Sequence, residues 1–347
     1  MDRELFPHLV DVSRNLADIL GCPAKDLLPM PNATTGMNTV LRSWQRRFCP
    51  RAGQRIVCLS VAYGSTKKLL KEISAECGLI VDEVPVEFPV SDEDAVLDAL
   101  AQTLSKDTAL VVLDHVPSNA PIVLPLDRAV DTCRDVVPDA LVVVDAAHSL
   151  AGSTLELRPA VADALVTNCH KWFCGPKGTA VLYVDPQHQE WVKPLVISHG
   201  FGSDFVSGFY WSGLTDFSSW LALDAALAFW ESVGFSQARL YAHSLVRDAA
   251  EELAEAWGTR LGADPDLFGP MSLVELPLLP AFGMQEPLQY EHAEMWQNAL
   301  FHRKIEVPVK ALSGRLYVRI SAHIYNEMED YAVLRDVVLR LAAGEPL

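Results

Sequence analysis

Six short apolar runs that alternate with helical stretches constrain this chain more than any other feature. The runs lie at Arg55–Leu59, Leu79–Val84, Ala109–Asp114, Leu141–Asp145, Ala164–Thr167 and Thr179–Val184. Between them, Ser65–Cys77 and Asp92–Leu104 place apolar residues at helical intervals. Strands separated by helices pair mostly in parallel, and the crossover helices cover both faces of the sheet. The pattern predicts an α/β fold with a mostly parallel sheet.

Two helices precede the runs, over Phe6–Leu20, where Gly21 and Pro23 stop it, and over Thr35–Phe48. After Val184 the rhythm changes to a Gly-, Ser- and aromatic-rich segment, SHGFGSDFVSGFYWSGLTD, and then a long helix over Phe217–Ser232. Gly234 is a natural seam. Beyond it the chain reads as helix Gln237–Trp257, strand Met271–Leu276, helix Tyr290–Phe301, strand Leu316–Ser321 and helix Glu327–Ala342. The expected organisation is a large domain over 1–233 and a smaller C-terminal α+β domain over 234–347.

Composition narrows the function. A formal net charge of −17 argues against nucleic acid or an anionic membrane surface as partner, since both demand clustered Lys and Arg. The opening MDRELFPHLVD leads into no apolar segment of signal-peptide or membrane-span length, so a cytoplasmic protein is expected. Seven cysteines, none beyond Cys174, do not form a disulfide framework. Cys169 and Cys174 flank His170, but without a second ligand pair they do not make a zinc site.

The chemistry concentrates at two strand ends. The run Leu141–Val144 delivers Asp145, in VVVDAAHSLAG, and Ala164–Val166 delivers Asn168, His170 and Lys171, in ALVTNCHKWFCGPKG. In an open α/β sheet these ends face the ligand crevice. An acid and a lysine presented side by side there suit pyridoxal 5'-phosphate (PLP): the amine binds the cofactor's aldehyde, and the carboxylate keeps the pyridine nitrogen protonated. The other use of an Asp here is to cap a following helix. His148, three residues on and one helical turn away if a helix follows, would reach the ring or its 3' oxygen. PNATTGMN opens a helix whose unsatisfied N–H groups, near Thr34, offer a phosphate cup, with ordinary capping by Asn32 or Thr34 as the other use of this segment. Arg315 and Arg319 surround a short strand in GRLYVRISAHIYN; each pairs internally with an acid or grips a carboxylate.

NATTGMNTVLRSW, DHVPSNAPIVLPL, VVVDAAHSLAG, NCHKWFCGPKG and RISAHIYNEMED, in this order, resemble the class V aminotransferase family of PLP-dependent enzymes of fold type I. The similarity is strongest to the branch of isopenicillin N epimerase-like proteins, cysteine desulfhydrases and sulfoxide C–S lyases. It implies that Lys171 carries the cofactor, Asp145 pairs with the pyridinium and His148 lies beside the 3' oxygen. It also implies that Thr34, the Ala33 backbone, Asn168 and His170 hold the phosphate, that Ser118 (with Asn119 as substitute) contacts the ring hydroxyl, and that Arg319 takes the substrate carboxylate. The family's ring-stacking histidine corresponds to Val61, which leaves Tyr63 as the candidate stacker. A phosphate-binding threonine corresponds to Leu214, with Thr215 or Ser212 as stand-ins. Relatives carry a longer amino-terminal segment that closes over the site, whereas this chain begins inside the helix that follows it.

The activity implied is a C–S lyase acting on a cysteine-derived L-amino acid, giving pyruvate and ammonia, in a homodimer. Epimerisation at Cα, transamination and a non-catalytic PLP-binding protein are the other readings. VPVKALSGRLYVRIS holds no cysteine, so persulfide transfer is not expected.

Overall fold

The computed structural model describes residues 2–157, 161–279 and 283–346. The chain divides into two compact units, one of Met1–Pro85, Leu97–Val116 and Leu124–Phe235, the other of Val86–Val96, Pro117–Val123 and Ser236–Leu347. The main seam falls one residue past Gly234, which ends a helix at φ +85. The second unit also draws in two segments that a boundary at 233 assigns to the first. Among the described residues no helix is long and apolar enough to cross a membrane.

Seven strands of the first unit form one sheet: β1 (Leu27–Met30), β2 (Arg55–Leu59), β3 (Ile80–Val84), β4 (Thr108–Asp114), β5 (Leu141–Asp145), β6 (Ala164–Asn168) and β7 (Ala180–Val184). Their order is β1-β7-β6-β5-β4-β2-β3. The five from β6 to β3 run parallel, while β7 is antiparallel to both β6 and β1. Every residue of β5, β6 and β7 is buried, which explains their unbroken apolar character. From β2 the chain turns to β3 on one side, then returns to place β4 on the other. This reversal makes the carboxyl ends of β2 and β4 the crevice of the sheet.

Helices α1 (Asp2–Leu20), α2 (Ala33–Phe48), α3 (Gly64–Cys77), α4 (Glu93–Thr103) and α5 (Leu126–Val136) accompany these strands. The α5 stripe Leu126, Ala129, Val130 and Cys133 is buried at helical spacing. Short helix α6 spans Ser207–Tyr210. The single helix expected over Phe217–Ser232 is two, α7 (Ser218–Leu221) and α8 (Leu223–Val233), separated at Ala222, whose ψ of −7 tightens the backbone. Buried Trp220 and Leu223 flank the break, so apolar spacing gives no sign of it.

The second unit holds an antiparallel sheet of β8 (Met271–Glu275), β9 (Val309–Leu312) and β10 (Arg315–Ser321) in the order β8-β10-β9. Ser313 and Gly314, both at positive φ, turn the β9–β10 hairpin. Val274, Leu316, Val318 and Ile320 face a core with residues of α9 (Phe235–Trp257), α10 (Tyr290–His302) and α11 (Met328–Ala342), including Leu253, Trp296 and Val338.

Candidate active site

Two carboxylates end neighbouring strands at this crevice. Asp114 on β4 is paired in register with Asp145 on β5, and they are 2% and 4% exposed. The start of α3 supplies donors to both. The Tyr63 N–H reaches Asp114 Oδ1 at 3.2 Å, and the Thr66 hydroxyl reaches Asp145 Oδ2 at 3.3 Å, with the Ala147 N–H on Oδ1 at 3.1 Å. Burial raises the Asp145 carboxyl. Burial and the adjacent Asp145 push Asp114 well above the usual carboxylate range. Asp114 Oδ2 has no hydrogen-bond partner among the described residues.

The residues after β5 form successive turns, not a helix that Asp145 would cap. Ser149 N–H bonds the Ala146 carbonyl at 2.8 Å, Gly152 N–H bonds the Ser149 carbonyl at 3.0 Å, and Ala151 lies at φ +62. His148 therefore reaches the site from a turn. Its Nε2 lies 2.9 Å from Lys171 Nζ. Glycine is needed beside them: a Cβ on Gly152 would stand 2.6 Å from Trp172 Cδ1 and 2.7 Å from the His148 carbonyl oxygen. Nearby His115, bonded through Nδ1 to the Ser149 hydroxyl at 2.8 Å, is pushed down to about 4 by burial and stays a neutral core histidine.

Lys171 sits in a closed loop after β6. Cys169 N–H bonds the Thr179 carbonyl at 3.0 Å, and Gly175 N–H bonds the Cys169 carbonyl at 2.8 Å. A Cβ on Gly175 would meet Leu223 Cδ2 at 2.6 Å, so the loop closes this tightly only with glycine.

At the start of α2, Asn32 is the cap, taking the Thr35 N–H at 2.8 Å. The Ala33 N–H donates to Asn168 Oδ1 at 2.9 Å. Asn168 thus fixes the helix start through Oδ1 and keeps its Nδ2 side for a ligand. Exposed Thr34 is the residue at this terminus whose N–H and hydroxyl have no partner among the described residues. His170 donates through Nδ1 to the Thr179 carbonyl at 2.8 Å, leaving Nε2 as its second nitrogen. Tyr63 is 44% exposed, and Val61 is buried.

Ser118 and Arg319 belong to the second unit and meet there. Arg319 Nη1 donates to the Ser118 carbonyl and, at 3.0 Å, to its hydroxyl. Arg319 Nε is buried without a partner among the described residues. Arg315 is the arginine that pairs internally, with Glu275 at 2.5 Å and Glu286 at 3.3 Å. Asp114 and Thr66 escaped the sequence reading, although Asp114 closes its apolar run just as Asp145 does.

Within the first unit these residues fit PLP on structural grounds. Asp145 is a buried carboxylate held by neutral donors, as a pyridinium partner requires, and a lysine and the helix-start residue Thr34, whose N–H and hydroxyl have no partner among the described residues, follow from the adjoining elements. The fold and site define a PLP-dependent enzyme of fold type I. Residues 7–274 match the model of the class V aminotransferase family, and the chain belongs to that family. It is similar to L-cysteine desulfhydrase of Arabidopsis thaliana, at 29% identity over 90% of this chain and 74% of that protein. It is also similar to hercynylcysteine sulfoxide lyase of Schizosaccharomyces pombe, at 24% identity over 96% and 84%. Among solved structures, the cystine C–S lyase C-DES in complex with cysteine persulfide superposes with a TM-score of 0.77 at 19% identity, covering 99% of this chain and 88% of that one.

Proposed function

We propose that this chain is a PLP-dependent C–S lyase acting on a cysteine-derived L-amino acid and releasing pyruvate, ammonia and a thiol or sulfide. The observation that carries the reading is the Lys171–His148 contact of 2.9 Å at a strand end whose neighbouring strand ends in buried Asp145. The names of the two relatives support sulfur elimination in particular. When bound, PLP supplies an electron sink for the charge left at the substrate Cα.

The protein's own groups do the rest. Lys171 Nζ holds the cofactor and, once released, removes the Cα proton, with His148 Nε2 placed to share it. Asp145 keeps the ring nitrogen protonated. Thr34, the Ala33 end of α2, the Asn168 amide and His170 orient the phosphate. Tyr63 covers the ring. Arg319 holds the α-carboxylate through the side of its guanidinium that Ser118 leaves open, so Ser118 orients the arginine in addition to the ring contact expected of it. Epimerisation needs a second acid on the opposite face; His148 is already engaged by Lys171, which leaves that task to Tyr63 alone.

We also assign the chain to a cytoplasmic homodimer. Leu214, 89% exposed, and Val196 and Ile197, at 52% and 58%, support a surface covered by a second copy.

The test is product analysis of PLP-loaded protein given L-cysteine. Pyruvate, ammonia and sulfide in equal amounts are expected, with Lys171→Ala lowering the rate by about 10²–10⁴-fold. A D-amino acid product, or no turnover of L-cysteine or of its S-conjugates, overturns the lyase reading.

A further inference from the structure

The β9–β10 hairpin carries a pair of cations without acids. On β10, Leu316, Val318 and Ile320 enter the core of the second unit, so Arg315, Tyr317 and Arg319 lie on the opposite face. Lys310 on β9 stands directly opposite Tyr317, which places it on that same face, diagonal to Arg319. The acids of this face are already engaged: Glu275 takes Arg260 at 2.8 Å and Arg315 at 2.5 Å, and Glu286 takes Arg315 at 3.3 Å.

Arg319 and Lys310 receive no acid among the described residues. Arg319 has only the Ser118 carbonyl and hydroxyl on Nη1, and its buried Nε has nothing. Burial lowers both cations, and the charge of Arg319 lowers Lys310 further. Two half-buried like charges, neither paired with an acid among the described residues, are unfavourable until an anion arrives. One guanidinium satisfies one carboxylate. A second cation on a diagonal, with the two residues about 7–8 Å apart, serves a second anionic group several bonds away.

We propose that Lys310 is a specificity-determining residue, so that the substrate is a cysteine thioether whose sulfur substituent carries its own carboxylate. This inference rests on the lyase reading and on Arg319 as holder of the α-carboxylate. In the reaction the Cα–H and Cβ–S bonds break, one water is consumed, and the acidic thiol leaves with a proton alongside pyruvate and ammonia. No oxidant or reductant is involved.

The test compares S-carboxymethyl-L-cysteine with its near-isosteric neutral amide, S-carbamoylmethyl-L-cysteine, in the PLP-loaded protein. We expect kcat/KM to favour the acid by about tenfold or more, the equivalent of about 1.4 kcal/mol. The ratio should collapse towards unity in Lys310→Met and recover in Lys310→Arg. A readout without turnover is calorimetric binding of 3-(carboxymethylthio)propanoate, which lacks the amine; wild type should bind it about tenfold tighter than Lys310→Met does. A wild-type ratio near unity, or equal binding of the dianion by both proteins, overturns the role of Lys310 while leaving the lyase intact. Failure to process either thioether or L-cysteine overturns the lyase reading itself, and the binding result then stands alone for or against the cation pair.

Discussion

At the scale of single residues, the site is governed by where charge can be afforded in a buried place. Asp114 and Asp145 are neighbours in register, so they cannot both ionise without mutual repulsion; burial raises both carboxyls, and the charge of Asp145 raises Asp114 further. A carboxyl raised in the folded state stabilises the fold fully below the unfolded value of about 3.9, and that contribution drains away as pH rises towards the folded value. In cofactor-free protein, urea midpoints measured from about pH 5 to about pH 8 should therefore fall more steeply for wild type than for Asp114→Asn, by up to about 1.4 kcal/mol per pH unit. Parallel curves would show that the Asp114 carboxyl is not raised. Lys171, Asp145 and His148 were legible because each closes or follows an apolar run in a motif with chemical content. Asp114 was not, because a carboxylate at a strand end carries no mark of its neighbour until the strand order is known. Arg315 and Arg319 look alike in sequence, and only their acids separate them.

Among the elements, the close approach of α2 to the sheet sets the position of Thr34. A Cβ on Gly36 would lie 2.6 Å from Val166 Cγ2 of β6, so Gly36→Ala must lift the helix or displace that strand's side chain. We expect a loss of about 1–3 kcal/mol in chemical denaturation and weaker PLP binding, both partly restored by adding Val166→Ala, which empties the contested space. Unchanged stability in the single variant would mean that α2 does not rest on β6 as described. The strands β2 and β5 match the apolar runs residue for residue. By contrast β1, with Pro29 inside four residues, and β9, which directly follows Pro308, were missed because such short strands show little periodicity. The turns after β5 were not legible because their spacing of Asp145 and His148 suits a helix or a turn.

For the whole molecule, the alternating pattern gave the parallel sheet and the resemblance gave the family, whereas the partition into units was only half legible. Val86–Val96 and Pro117–Val123 join the second unit although they lie within the first half of the chain, and apolar spacing records burial without recording in which core. This partition matters for function, since Ser118 and Arg319 belong to the same unit and are hydrogen-bonded there. The assignment of Lys171 as the cofactor's anchor underlies every other role. The most direct measurement is borohydride reduction of the PLP-loaded protein followed by peptide mass spectrometry. A stable cofactor adduct on the peptide containing Lys171, absent in Lys171→Ala, is the expected result. An adduct on Lys177, on Lys67 or on no peptide would contradict it.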